Sequence, residues 1–236
     1  MATVLVTGAN RGLGLEFVRQ YIEAGWSVLA TCRNTDGAEQ LKQLASADDK
    51  LEIFRLDVAD FDAIDALAAE LRDRRIDVLI NNAGIFGPKR QADNDLRQSF
   101  GQIDYRILAD VLRVNTMAPL KIAEAFMQNV LMSEQKKIIT ISSLIGSIAE
   151  GEPGLYAYRT SKAAVNMAMA TLAREFEAQG VIVVLFSPGW VKTDMGGAAA
   201  AIESDESIRC LRKLISDLTI DDSGAFINYD GCRIAW

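Results

Sequence analysis

Short runs of apolar and β-branched residues recur along the chain, and amphipathic stretches with helical spacing separate them. Strands that are apolar on both faces are typical of a parallel sheet covered by helices on both sides. The pattern predicts seven strands, at residues 3–7, 27–31, 51–56, 77–81, 137–142, 181–186 and 225–229. It predicts six helices between them, at residues 12–24, 38–47, 61–72, 103–132, 156–179 and 206–217.

This alternation indicates an α/β protein with a Rossmann fold, in which a seven-stranded, mostly parallel, doubly wound sheet carries helices on both faces. The chain has only four prolines, and neither a Ser/Gly-rich linker nor a repeat divides it. We therefore expect residues 1–236 to form a single domain. Two long irregular segments, 85–102 and 189–205, each follow an apolar strand, and segments of that length are usually functional or mobile.

Composition narrows the functions open to such a domain. The 236 residues include no histidine, which excludes Ser-His-Asp and Cys-His catalysis and argues against a metal site. The net charge of -7, without a block of like charges, argues against nucleic-acid binding. No apolar run approaches the ~20 residues of a membrane span, and the first residues lack the features of a signal peptide. Three widely spaced cysteines predict reduced thiols and a cytoplasmic location.

A glycine-rich segment, Thr7-Gly-Ala-Asn-Arg-Gly-Leu-Gly14, joins the first predicted strand to the first predicted helix. Gly8 permits a tight turn, Gly12 lets the backbone approach a pyrophosphate, and Gly14 permits close packing of helix on strand. The helix N-terminus presents N–H groups to the anion. This context favours a dinucleotide-binding loop over a merely structural turn.

The residues after the second strand indicate which dinucleotide binds. A carboxylate there would bind the ribose 2′-OH of NAD(H), whereas arginine accommodates the 2′-phosphate of NADP(H). The segment reads Thr31-Cys-Arg-Asn34, so Arg33 is available and no carboxylate is present. Arg11 in the glycine loop can supply a second charge-assisted hydrogen bond. These residues predict NADP(H), and the alternative is that both arginines are solvated surface charges.

Three motifs together resemble the short-chain dehydrogenase/reductase superfamily over essentially the whole chain. They are the glycine loop, Asn81-Asn-Ala-Gly84 and Tyr158-Arg-Thr-Ser-Lys162. Segments 156–162, 188–195 and 226–231, with Ala235-Trp236, resemble the C-factor/sniffer-type carbonyl reductase subgroup. The resemblance implies an NADP(H)-dependent oxidoreductase that reduces a small-molecule carbonyl to an alcohol by hydride transfer.

The resemblance also implies a catalytic set of Asn115, Ser143, Tyr158 and Lys162. Tyr158 and Lys162 lie four apart on one helix face, and a nearby ammonium is expected to lower the pKa of the phenol. Tyr156 competes as the proton donor but has Thr160, not lysine, four residues later. Ser143 is expected to hold the substrate. Ser142 stays open as an alternative, because the spacing to Tyr158 is about two residues longer than is common in the family.

The expected cofactor contacts extend over most of the chain. Asp57 resembles the residue that meets the adenine ring, although a strand-end helix cap is nearly as good an interpretation. Val191 and Thr193 follow a Pro-Gly pair that is either the family's nicotinamide segment or a simple turn. The full expected set is Gly8, Asn10, Arg11, Gly12, Leu13, Gly14, Arg33, Asp57, Val58, Asn82, Ala83, Gly84, Tyr158, Lys162, Pro188, Gly189, Val191 and Thr193.

The predicted site residues do not indicate which carbonyl compound is the substrate. Besides Ser143 and Tyr158, only Trp190 and Met195 suggest themselves, as apolar walls of the substrate site. A second hypothesis is a dinucleotide-binding signalling or regulatory protein of the C-factor type, in which turnover is incidental. Whether copies of the chain form a homo-oligomer is also left open.

Overall fold

A computed structural model describes residues 1–88 and 95–236 of the chain. The strands are β1 (Thr3–Thr7), β2 (Ser27–Cys32), β3 (Leu51–Arg55), β4 (Val78–Asn81), β5 (Lys137–Ile141), β6 (Ile182–Ser187) and β7 (Phe226–Asn228). The helices are α1 (Gly12–Glu23), α2 (Glu39–Ala47), α3 (Phe61–Glu70), α4 (Tyr105–Leu112), α5 (Ala118–Leu131), α6 (Tyr156–Phe176) and α7 (Ser204–Asp217).

The seven strands form one sheet in the order β3-β2-β1-β4-β5-β6-β7. All six neighbouring pairs are parallel. The predicted doubly wound sheet is therefore confirmed, and it is wholly rather than mostly parallel. The chain runs outward in one direction from β1 to β3 and then in the other from β4 to β7. In such sheets ligands bind outside the carboxyl ends of the strands, where the direction reverses.

Successive strand residues pack into two separate cores, one on each face of the sheet. In β1, Val4 and Val6 join a cluster with Phe17 of α1 and Leu211 of α7. Leu5, between them, faces the other cluster, which includes residues of α3, α5 and α6 such as Ile64, Phe126 and Val165. This two-residue period explains why the buried strands read as continuous apolar runs.

The predicted helix at 103–132 is divided in the structure, and this is the largest departure from the sequence expectation. A π-helical turn at Arg113–Met117 separates α4 from α5. Pro119 has no N–H to donate to the carbonyl of Asn115 four residues earlier, and its ring crowds that carbonyl in a regular α-helix. The turn widens there, as single π-turns inside helices do. The predicted helix at 156–179 ends as α6 plus a 3₁₀ turn at Glu177–Gln179, and the other elements lie within two residues of their predicted bounds.

Within residues 1–88 and 95–236, none of the helices combines the length and apolar character needed to cross a bilayer. The same residues contain no group of three or more His, Cys, Asp or Glu side chains placed to hold a metal ion. Cys32, Cys210 and Cys232 are free thiols. Of the long predicted segment 85–102, residues 89–94 lie outside the described part of the chain.

The connection from β1 to α1 brings backbone against backbone. A Cβ added to Gly14 would lie 2.2 Å from the carbonyl oxygen of Gly8 and 2.6 Å from Nδ2 of Asn82. Gly8 itself has φ +65°, and its Cβ would lie 2.9 Å from Cα of Ala83. A side chain at either position would separate the glycine loop from the end of β4.

We expect Gly14→Ala to destabilise the protein by about 1–3 kcal/mol, because the new methyl must displace backbone rather than a mobile side chain. Gly37→Ala is the matched control, since its Cβ would meet only the end of the Asn34 side chain, at 3.1 Å. Urea unfolding of both variants measures the difference. Equal stabilities of the two variants would contradict the packing argument.

Candidate active site

A cleft of about 250 Å³ opens at the carboxyl edge of the sheet, beside the switch point between β1 and β4. Its lining draws on the ends of β1, β2, β4, β5 and β6 and on the start of α6. Sixteen of the predicted site residues line it: Gly8, Asn10, Arg11, Gly12, Leu13, Gly14, Arg33, Val58, Asn82, Ala83, Gly84, Tyr158, Lys162, Pro188, Thr193 and Met195. Seven others line it that were not predicted as lining: Cys32, Leu56, Ile85, Val114, Ile141, Ser142 and Asp194.

The end of the cleft beside the glycine loop has the features of an anion-binding site. Helix α1 begins here after Arg11, with no side-chain cap and no acidic residue in its first turn. Its first N–H groups therefore lack the side-chain partner that most helix starts have. Gly12 leaves the approach open, because the nearest atom to an added Cβ is Cγ2 of Thr193, at 3.4 Å. A dinucleotide pyrophosphate fits this cradle.

Hydrogen bonds join the glycine loop to the end of β4. The Thr7 hydroxyl oxygen accepts the N–H groups of Asn82 and Ala83, at 3.0 and 3.1 Å. Nδ2 of Asn82 donates in return to the carbonyls of Thr7 and Gly8, at 2.8 and 3.2 Å. Asn82 thus holds the loop as well as lining the cleft.

The two arginines predicted to bind a 2′-phosphate have different surroundings. Arg33 is exposed at the rim of the cleft, and no carboxylate of the described chain lies within ion-pair distance of it. Nη1 of Arg11 instead lies 2.8 Å from Oδ2 of Asp194, in the segment after β6. Arg11 therefore links the glycine loop to that segment. Sequence reasoning gave no sign of this pair, whose members are 183 residues apart.

Asp57 does not line the cleft, although its neighbours Leu56 and Val58 do. Its Oδ1 accepts the N–H of Ala59 at 3.0 Å, which closes the turn after β3. The cap of α3 is Asp60, whose side chain accepts the N–H of Ala63. The helix-cap interpretation of Asp57 is therefore wrong, because Asp60 caps α3. The contact with the adenine ring stays a prediction.

The segment after β6 contributes less of the predicted set than expected. Pro188, Thr193 and Met195 line the cleft. Val191 is buried and pairs with Ile202 through the backbone, and Gly189 has φ +80° with Ile202 too close for any side chain. Trp190 is more than half exposed and donates Nε1–H to the carbonyl of Gly196 at 2.9 Å, away from the cleft. Of the two predicted apolar walls, only Met195 is in place.

The loop after β5 places the two candidate serines differently: Ser142 lines the cleft, and Ser143 does not. Oγ of Ser142 donates to Oδ1 of Asn166 at 2.6 Å in a buried contact. The Ser143 side chain is hydrogen-bonded to the Tyr158 hydroxyl. Adjacent residues in an extended chain point to opposite sides, so only one serine can face the tyrosine. Ser143 is that residue, and Ser142 anchors the loop to α6. The assignment of Ser143 to the substrate stays a prediction.

Lys162 is buried one helical turn from Tyr158. Its Nζ donates to the carbonyl of Ile141 at 2.8 Å and lies 5.7 Å from the centre of the Tyr158 ring. This approach depends on Gly146, because a Cβ there would lie 2.6 Å from Cβ of Lys162. Burial lowers the pKa of Lys162 to about 8, so the ammonium can lose its proton near neutral pH.

Burial acts on Tyr158 in the opposite direction. It raises the pKa of Tyr158 to about 12, and the hydrogen bond from Ser143 offsets this only in part. We expected Lys162 to bring the pKa of Tyr158 below its ordinary value. With the groups of the protein alone, that expectation is wrong. Desolvation disfavours the phenolate more strongly than its neighbours favour it. Tyr158 accordingly keeps its proton throughout the physiological range.

Asn115 lies in the π-helical turn, behind the cleft rather than on its surface. Its Nδ2 donates to the carbonyl of Ile85 and to Oγ of Ser161, at 2.8 and 3.0 Å, and its Oδ1 accepts the N–H of Ile85 at 2.9 Å. Oγ of Ser161 donates to the Tyr158 carbonyl at 2.7 Å. The Asn115 side chain therefore ties the segment after β4 to α6, while Pro119 leaves the Asn115 carbonyl without its usual helical donor.

Comparison with known proteins agrees with this geometry. The profile of the short chain dehydrogenase family matches residues 2–203. The chain belongs to this family. It is an oxidoreductase, and the glycine loop and cleft are those of a family that uses a nicotinamide dinucleotide.

Three relatives of this short-chain dehydrogenase are especially informative. C-signal of Myxococcus xanthus is 34% identical over 172 residues, which cover 72% of this chain and 99% of that protein. The carbonyl reductase Sniffer of D. melanogaster is 35% identical, with a TM-score of 0.89 and 100% of both chains covered. An NADPH-bound carbonyl reductase from chicken fatty liver is 37% identical, with a TM-score of 0.89 and coverage of 100% of this chain and 99% of its own.

The lowered pKa of Lys162 has a consequence for stability. In the unfolded chain this pKa returns to 10.5, so between pH ~8 and pH ~10.5 the unfolded state binds more protons. The free energy of unfolding therefore rises with pH in that range. We expect the wild-type value minus the Lys162→Met value to increase by about 2 kcal/mol between pH ~8 and pH ~10. Urea titrations at both pH values measure this difference, and a constant difference would argue against a buried, uncharged Lys162.

Proposed function

We propose that the protein reduces a small-molecule carbonyl compound to an alcohol with NADPH, and that Tyr158 is the proton donor. The observation that carries this proposal is the buried Tyr158 side chain, which lines the same cleft as Lys162 and interacts with Ser143 through its hydroxyl. Burial raises the pKa of Tyr158 to about 12, which favours its protonated form. The two carbonyl reductases of similar structure support it, and the one from chicken fatty liver is bound to NADPH.

When bound, the cofactor supplies the hydride. Tyr158 gives its phenolic proton to the carbonyl oxygen of the substrate, and the Ser143 hydroxyl holds the same oxygen. A pKa near 12 keeps this proton on Tyr158 until negative charge develops on the substrate. Reduction needs a protonated donor, so the raised pKa suits this direction of the reaction.

Lys162 and Asn115 support the proton donor. Lys162 is assigned to bind the ribose of the cofactor and to favour the transient phenolate, because an ammonium stabilises nearby negative charge. The Asn115 carbonyl is assigned to hold a water molecule linked to Lys162. A lysine with a pKa of about 8 can exchange a proton with such a water during turnover.

The remaining cleft residues are assigned to the cofactor. Gly8, Gly12 and the start of α1 hold the pyrophosphate, Val58 and Ala83 contact the adenosine half, and Thr193 contacts the nicotinamide half. Arg33 is assigned to the 2′-phosphate because it lies at the rim without an acidic partner in the described chain. Arg11 would have to leave Asp194 to join it.

The likeness to C-signal favours one other candidate, a dinucleotide-binding regulatory protein. Such a protein needs the phosphate cradle but not a proton donor. Tyr158 and Lys162 line one cleft, and Ser143 interacts with the Tyr158 hydroxyl. This arrangement is better explained by catalysis. Turnover by the intact site is therefore the first property to measure.

We expect Tyr158→Phe to lower kcat by ~10²–10⁴, because the ring is kept and only the transferable proton is lost. Cofactor affinity should stay near the wild-type value. Loss of NADPH absorbance with a panel of aldehydes, diketones and quinones measures turnover. Tyr156→Phe is the matched control, since Tyr156 is partly exposed at the start of the same helix. A Tyr156 variant that is inactive beside an active Tyr158 variant would refute the assignment.

We expect NADPH to bind at least about ten-fold more tightly than NADH, since one charge-assisted hydrogen bond contributes ~1.5–3 kcal/mol. Arg33→Ala should remove most of this preference by weakening NADPH binding alone. The exposed Arg72, at the far end of α3, provides the control variant Arg72→Ala. Titration of each cofactor against intrinsic tryptophan fluorescence gives the affinities. Equal affinities in the wild-type protein would overturn the choice of NADP(H).

A further inference from the structure

One buried side chain in the segment between β4 and α4 contacts both the proton donor's helix and the loop beside it. Gln98 is 2% exposed. Its Nε2 donates to the carbonyls of Phe86 and Pro88, at 2.8 and 2.7 Å. Its Oε1 accepts the N–H of Tyr158 at 3.0 Å. The Nε2 group of this amide therefore binds the segment after β4, and its Oε1 binds α6.

The contact with Tyr158 replaces a missing helix cap. Helix α6 begins after Leu155, which has φ +53° and no side chain that can accept a hydrogen bond. The N–H groups of the first turn need acceptors from elsewhere. Gln98 supplies two of them, its backbone carbonyl to Tyr156 N–H at 3.1 Å and its side chain to Tyr158 N–H. The start of the helix is therefore held by a residue 60 positions away.

The Nε2 arm of the Gln98 amide holds the backbone of Phe86, whose ring packs on Tyr158. The Phe86 ring lies 4.4 Å from the Tyr158 ring, centre to centre, with 32° between the planes. Gly87 has φ +77°, and a Cβ there would lie 3.0 Å from Nε2 of Gln98. The backbone of this segment is thus shaped to receive the amide.

We infer that Gln98 is a positioning residue for proton transfer, since it fixes the backbone of Tyr158 and the backbone of the ring packed on Tyr158 with a single amide. This inference rests on the proposed role of Tyr158 as the proton donor. Proton transfer requires placement to within a fraction of an ångström, and a displacement of about 1 Å can cost ~10²-fold in rate. Gln98, Phe86 and Pro88 do not line the cleft, so we expect dinucleotide binding to depend little on this amide.

The test compares Gln98→Met with Asn129→Leu. Asn129 is buried to the same extent, and its Nδ2 also donates to two backbone carbonyls, those of Leu71 and Arg74, at 2.7 and 2.8 Å. It lies away from the cleft, so its loss reports what a purely structural amide contributes. We expect similar drops in Tm for both variants. We expect kcat to fall about ten- to hundred-fold only in Gln98→Met, with NADPH affinity within about two-fold of wild type in both.

A second variant, Gln98→Glu, keeps the acceptor oxygen of the side chain and replaces its Nε2 donor by a second oxygen. Gln98→Glu retains an acceptor for the Tyr158 N–H but places a carboxylate against two carbonyl oxygens. Burial raises the pKa of such a carboxyl group, and its protonated form can again donate to one carbonyl. We expect the ratio of its kcat to the wild-type kcat to rise severalfold as the pH falls from about 8 to about 6. A merely structural role predicts a ratio that does not change with pH.

Tyr158→Phe is measured in the same assay, so that failure of the two proposals can be told apart. If Tyr158→Phe is inactive while Gln98→Met keeps the wild-type kcat, the positioning role is refuted and the proton donor stands. If Tyr158→Phe is fully active, Tyr158 is not the proton donor, and both the proposed function and the positioning role that rests on it are refuted. Should Gln98→Met not fold, a pH-independent kcat ratio for Gln98→Glu overturns the positioning role.

Discussion

Close approach of backbone to backbone at the carboxyl edge of the sheet is the constraint on which the site depends. Gly14 sits against the Gly8 carbonyl, Gly8 against Ala83, and Gly146 against Lys162, each too near to admit a Cβ. The first two contacts bring the start of α1 to the end of β4. The third lets α6 approach β5 until Lys162 reaches the Ile141 carbonyl. The glycine loop and Tyr158 thereby line one cleft, although they lie on different elements.

Such close packing buries Tyr158 and Lys162, and the electrostatics of the site follow from that burial. Burial disfavours the charged form of every ionisable group, so it raises the pKa of Tyr158 to about 12 and lowers that of Lys162 to about 8. The two shifts have the same cause and opposite signs. Together they favour a protonated Tyr158 and make the Lys162 ammonium easier to deprotonate. For both side chains, desolvation therefore shifts the pKa more than the interaction between them does.

Much of this could be predicted from the sequence, because the signals are local. Apolar runs and helical spacing defined the strands and helices, and the glycine loop and the Tyr158–Lys162 spacing marked the cleft. Features that depend on distant partners were missed. The pairing of Arg11 with Asp194 joins residues 183 positions apart. The direction of the Tyr158 pKa depends on burial, which only the folded chain shows. The π-helical turn did have a local signal, Pro119 four residues after Asn115, which the helical periodicity obscured.

Two buried amides tie the segment after β4 to α6, the helix that carries Tyr158. Asn115 holds both backbone groups of Ile85, and Gln98 holds the carbonyls of Phe86 and Pro88. Each amide is also bonded to α6, through Ser161 and Tyr158 respectively. The same segment begins at Asn82, which holds the glycine loop, so the glycine loop and Tyr158 are connected through residues 82–88.

A change in this segment would therefore disturb catalysis together with substrate fit. The segment after β6 is different. Residues 196–201 lie between β6 and α7, outside regular helices and strands, and the neighbouring Met195 lines the cleft. Changes there can alter the shape of the cleft while leaving the proton donor in place. Substrate preference is consequently expected to depend on the segment after β6 more than on the segment after β4.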